Sequence, residues 1–198
     1  MDRTGVPDPL RSHGAWITLC VSTAVGILSV ERGFVELGLL AGTAFAGGFL
    51  GLAAVSAGIA RNRKRALLGL VLAGLSTTAA LALGAPVSFV VALVAAAACG
   101  GLGLALARRR GILDPLTLAA SLAPFTLAGS GAALALGATP THALVLFLAL
   151  WLFACWRSLL VASTLRGDAA WDRTTLRARG LREAAWSALW GIVVAVLA

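Results

Sequence analysis

Between Arg65 and Arg108, and again between Asp114 and Arg157, this chain carries no Asp, Glu, Lys or Arg. A backbone buried in hydrocarbon must satisfy its own polar groups, which helices and closed barrels achieve, and a helix needs about 20 apolar residues to cross a core of roughly 30 Å. Each charge-free stretch is long enough for two such helices. The rest of the chain has the same texture, with charged islands set between apolar runs. Hydrophobic residues fill 60% of the 198 positions and charged residues 12%, against the quarter or so that a soluble domain uses to wet its surface. Mean hydropathy is +0.95. The sequence therefore predicts an all-α, polytopic transmembrane helical bundle.

Seven apolar segments are expected, over 13–30, 34–60, 66–84, 86–107, 115–137, 140–164 and 184–198. The last would rise only about 22 Å, so a count of six stays open beside seven. A short tail, 1–12, precedes a single transmembrane domain, 13–198, whose one long cytoplasmic loop is 165–183. That loop reads as partly helical on the membrane surface, with Trp171 at headgroup level and its arginines toward anionic lipid. Asp114 before Pro115 makes an N-cap followed by proline at the first helical position. Thr139 before Pro140 repeats the arrangement. Pro124, inside the fifth segment, removes a backbone hydrogen bond and is expected to kink the helix.

Net charge is +8, and its placement matters more than its size. Arg3, Arg11, Arg61, Arg63, Lys64, Arg65, Arg108, Arg109, Arg110, Arg166, Arg173, Arg177, Arg179 and Arg182 all fall on one side of the seven segments, with Arg32 alone on the other and Arg157 inside the sixth. The positive-inside rule then puts the N-terminus in the cytoplasm, and the scarcity of Lys beside abundant Ala, Gly and Arg suggests a bacterial genome and so a bacterial cytoplasmic membrane. These islands are read as loops. Cations so placed meet anionic phospholipid heads, and the absence of an aromatic-interleaved basic face speaks against nucleic acid. The charged start is not read as a secretory signal, because Asp2, Asp8 and two prolines are foreign to one and no clear cleavage site closes the first apolar run.

His13 and Trp16, three apart, share a helix face. One reading is an interfacial tryptophan anchor; the other makes His13 a donor to an anionic group. Arg157 stands nine residues before Arg166, about 13 Å along a helix. It either snorkels to the interface or faces the bundle and holds an anionic headgroup or substrate. Gly38 and Gly42, then Gly47 and Gly51, have the spacing that lets helix backbones approach closely. Packing inside the bundle is the first reading and homo-oligomerisation the second. Cys20, Cys99 and Cys155 are widely spaced and read as free thiols. None of the eight carboxylates lies well inside a segment, which disfavours a proton relay. No phosphate loop, nucleophile elbow or zinc motif is present, so no catalytic residue and no cofactor is assigned.

"HGAW" (13–16), "ARRRGILDPLTLAASLAP" (107–124) and "WRSLLVASTLR" (156–166) together resemble the YwiC-like family, bacterial multipass membrane proteins of largely unassigned function. Those proteins are similar in hydropathy to UbiA-type intramembrane prenyltransferases, which hold a polyprenyl diphosphate through magnesium and two aspartate-rich motifs. Where the first motif would fall, "AVSAGIARNRKR" (54–65) has no carboxylate. Near the second, Asp168 and Asp172 have the spacing to hold one Mg2+. Three functions follow: a non-catalytic membrane protein binding lipid or a membrane partner; a divergent prenyl or lipid transferase using His13, Arg157, Asp168 and Asp172; and a small-solute transporter. Residues 10–28 also echo 181–197, as a repeated entry helix would.

Overall fold

The computed structural model describes residues 13–30, 34–56, 58–167, 182, 185–186 and 188–196, with 13, 14, 59–61 and 164–167 described by backbone alone. Among the described residues there are helices and no strand: α1 (His13–Leu28), α2 (Val35–Ser56), α3 (Ile59–Ala82), α4 (Ser88–Arg110), α5 (Pro115–Ala135) and α6 (Pro140–Gly167). A seventh, α7, is helical over 188–196. Five of these, α2, α3 from Asn62 onward, α4, α5 and α6, are long and apolar enough to cross a membrane. At 16 residues, α1 spans only about 24 Å.

Short connections make consecutive helices antiparallel. The starts of α1, α3 and α5 thus share one end of the bundle with the finishes of α2 and α4. Two tight turns at that end rest on Gly58 and Gly111, whose φ values of 92° and 88° suit a residue without Cβ. The Asp114 carboxylate caps α5, accepting from the Leu116 and Thr117 amides at 3.1 and 3.2 Å. Thr139 caps α6 likewise, its hydroxyl accepting from the His142 amide at 3.2 Å.

Two of the basic islands are not loops. α3 starts at Ile59 and α4 ends at Arg110, so residues 61–65 and 108–110 are helix ends. Arg and Lys are strong helix formers, and three arginines at the end of α4 also complement its dipole. The second segment stops at Ser56 instead of residue 60. α5 runs through Pro124 as one helix, and the internal break falls in α3, at Asn62 (φ −118°, ψ 24°). α6 reaches Gly167, whereas residues 168–181, including Trp171, lie outside the described residues.

The packing is small inside and large outside. Every residue from Ala128 to Ala135 is buried, and α5 touches α1, α2, α4 and α6. Its small side chains let neighbours close in from all sides. The main core gathers Ala41, Ala44, Ala80, Ala92 and Ala96 around Phe45 and Phe89. Leu67, Leu70, Val71 and Leu75 of α3, and Leu144, Val145 and Leu152 of α6, are exposed. Such a surface is untenable in water and ordinary in lipid, where burying leucine gains little and close backbone packing does the work.

α1 and α5 cross where two glycines meet: a Cβ on Gly26 would collide with the Gly129 carbonyl, and one on Gly129 would lie 2.5 Å from the Ser22 oxygen. α7 closes over α1 and α6. Val194 joins Val25, Leu146 and Leu150 in a second core, Trp190 stacks on Phe153 at 5.2 Å, and its indole donates to the Ala149 carbonyl at 3.2 Å.

Candidate functional site: an apolar cavity at the basic end

α3 packs on α2, and α4 packs on α5. Between these two hairpins lies a cavity of about 550 Å³. The α4 wall is a stripe of Leu93, Ala96, Ala97, Gly100, Gly103, Leu104 and Ala107, at the three- and four-residue steps of one helix face. α2 contributes Phe45, Gly48, Phe49, Leu52, Ala53 and Ser56 at the same steps. α5 adds Ser121, Pro124 and Phe125, while α1 adds Ala15 and Leu19. Small residues make the space and aromatics bound it: Trp16 meets Phe49 edge-on at 5.1 Å, and Phe49 meets Phe125 at 5.0 Å.

The lining contains no titratable side chain, and its polar side chains are Ser56 and Ser121. Ser56 already donates to the Ala53 carbonyl at 2.7 Å. A water held in place needs two to four polar partners, which these walls do not supply. Hydrocarbon is the occupant that satisfies such walls.

One end of the cavity reaches Ser56, Ala107 and Ile112, beside the α2–α3 and α4–α5 turns. Just beyond stand Arg63, Lys64 and Arg65 on α3 and Arg108, Arg109 and Arg110 on α4, all exposed. Two described carboxylates exist to balance them. Asp114 is committed to its cap, and Glu36 lies in the first turn of α2 at the far end.

The structure separates the residues that the sequence singled out. His13 opens α1 at the basic end, and its side chain lies outside what is described. Trp16 backs the cavity wall through Phe49. Arg157 is elsewhere, its guanidinium 5.7 Å from the Trp156 ring and 5.9 Å from that of Trp186. It lies about 26 Å along α6 from Pro140, which puts this cation–π cluster toward the basic end of the bundle. Asp168 and Asp172 lie outside the described residues, among which no three potential ligands converge on a metal position.

The four glycines divide between two partners. A Cβ on Gly38 would meet Ile27, and one on Gly42 would meet Thr23, both at 2.5 Å on α1. One on Gly47 would come within 2.6 Å of the Ala73 amide on α3, and Gly69 faces the Gly51 backbone equally closely. The three cysteines are free. At the end opposite the basic helix ends, His142 Nε2 lies 3.1 Å from the Ser29 hydroxyl and joins α6 to the end of α1.

Sequence reasoning missed Gly48, Gly100, Gly103 and Ser121 as lining residues. The α4 stripe has the right spacing to be found, but in a chain this rich in Ala and Gly every helix offers several such stripes. Compared with family models, curated proteins and solved structures, the chain finds no match.

Proposed function

We propose that this protein is a multipass membrane protein that binds a lipid chain in its bundle cavity without transforming it. The observation that carries this reading is the 550 Å³ apolar cavity between the two hairpins. It is large enough for a ligand and too poor in polar groups to hold water or do acid–base chemistry. In this reading all seven helices lie in the bilayer, with the N-terminus and the basic helix ends on the cytoplasmic side of a bacterial inner membrane. The distribution of the sixteen basic residues supports that orientation. The YwiC-like resemblance of the HGAW entry fits the same picture, since Ala15 lines the cavity and Trp16 braces its wall.

Gly48 provides the test. It lines the cavity, and a Cβ there meets nothing within 4 Å, so the side chain of Gly48→Phe starts in open cavity space. Native mass spectrometry of the wild type should retain one lipid after detergent removal; Gly48→Phe should lose it. Gly101→Leu, which also meets nothing within 4 Å but lies outside the lining, should keep it. Equal retention by wild type and Gly48→Phe would overturn the assignment.

A further inference from the structure

The cavity wall departs from hydrocarbon at one place on α5. Serine in a helix commonly gives its proton to a carbonyl one turn back, as Ser29, Ser56 and Ser163 do here. Ser121 does not: it lines the cavity, and its hydroxyl makes no hydrogen bond with any described residue. Its position is fixed by α4, since a Cβ on Gly103 would lie 2.6 Å from Ser121 Oγ and 3.0 Å from its Cα. Beside it stands an acceptor. Pro124, also in the lining, has no N–H, so the Ala120 carbonyl, which helical geometry aims at residue 124, finds no donor there.

A donor and an acceptor thus lie on adjacent residues of one wall, and no titratable side chain accompanies them in the lining. Ser121 stands about 9 Å along α5 from Pro115, where an ionised head would leave water without gaining a counter-charge. The pair can serve one polar atom at one point, and it leaves the remaining walls with nothing for water. A hydroxyl is the uncharged group that uses both partners, accepting from Ser121 and donating to the Ala120 carbonyl. An ether oxygen can only accept.

We propose that the cavity binds a lipid with an uncharged, hydroxyl-bearing head, the hydroxyl being held by Ser121 Oγ and the Ala120 carbonyl and the chain lying against Phe49, Leu93 and Phe125. This assignment rests on the lipid-binding reading of the cavity. It adds a neutral head and two named partners.

The test titrates hexadecanol, its methyl ether and hexadecyl phosphate into the purified full chain in neutral detergent, with occupancy read by native mass spectrometry. Hexadecanol should bind one to one and about three- to tenfold more tightly than the ether, the ratio that one further hydrogen bond gives. Hexadecyl phosphate should bind more weakly than the alcohol. Ser121→Ala should weaken alcohol and ether by a similar factor. Pro124→Ala, which returns an N–H to the Ala120 carbonyl, should bring the alcohol down to the level of the ether and leave the ether unchanged. Ser56→Ala, whose hydroxyl is already committed to Ala53, should change neither. If alcohol and ether bind alike, or neither binds, while Gly48→Phe still loses the co-purified lipid, the hydroxyl assignment falls and the cavity stands. Tighter binding of the phosphate, indifferent to Ser121→Ala, would put the head outside at the basic helix ends and overturn the assignment as well. If no probe binds and Gly48→Phe keeps the same lipid as the wild type, the lipid-binding reading itself is wrong.

Discussion

Adding one methyl group at Gly129 tests whether the bundle is held by backbone contact between α1 and α5. The new Cβ would lie 2.5 Å from the Ser22 carbonyl oxygen and 3.1 Å from Leu150 Cδ1. The leucine can rotate; the carbonyl belongs to a helix backbone and cannot. Ordinary contact begins at 3.4 Å, so α1 must withdraw by about 0.9 Å, and a gap of that size forfeits between a quarter and a half of each dispersion contact along the seam. The seam includes Ser22 and Val25, both almost fully buried. Overpacking of this kind costs about 1–3 kcal/mol. A glycine-to-alanine change in open space works the other way, gaining about 0.4–1 kcal/mol by restricting the unfolded chain. Gly101→Ala, where the methyl meets nothing, supplies that reference. Thermal unfolding in detergent micelles, followed by circular dichroism, should place Gly129→Ala below Gly101→Ala by on the order of 5–10 °C, at roughly 2–4 °C per kcal/mol for a chain of this size. Gly26→Ala should be worse still, because its Cβ runs directly into the Gly129 carbonyl. Equal melting of Gly129→Ala and Gly101→Ala would refute the close crossing.

Other perturbations probe separate parts of the frame. Asp114→Ala removes both acceptor contacts at the start of α5 and should destabilise by about 1 kcal/mol, with Asp114→Asn recovering most of the loss in the same melt. Trp151→Phe deletes the 2.9 Å bond from the indole to the Ala119 carbonyl, and Ser130→Ala the buried 2.8 Å bond to Ala143. Each should cost about 0.6 kcal/mol, the average for bonds between membrane helices, and a neutral result in both would mean that α5 and α6 are held by packing alone. A reporter inserted after Arg65 or Arg110 should read cytoplasmic, and one near Pro86 or Thr139 external; the reverse pattern would overturn the proposed orientation.

Much of the frame was legible in the sequence because hydrocarbon imposes few solutions. The uncharged runs delimited most helices to within a few residues, though not the start of α3, and Asp114-Pro115 and Thr139-Pro140 marked two helix starts that the structure caps as expected. The errors came from local rules that tertiary surroundings override. Charge at 61–65 and 108–110 suggested loops, yet a helix leaving the apolar layer has no reason to stop there when arginine favours its continuation. The break in α3 at Asn62 carried no such signal, and α5 stays helical through Pro124.

What the sequence determined alone is the solvent for which this chain is built and the approximate bounds of its helices, since both follow from counting apolar residues between charges. What it could not determine is which small residues touch and which stand open. Gly47 and Gly48 are neighbours of the same type, but one is pressed against α3 and the other faces empty space in the cavity. Only the crossing of the two hairpins decides between them. A glycine carries no side chain to declare its partner, so in a bundle cored with alanine and glycine the position of a cavity is a property of the backbones' mutual placement.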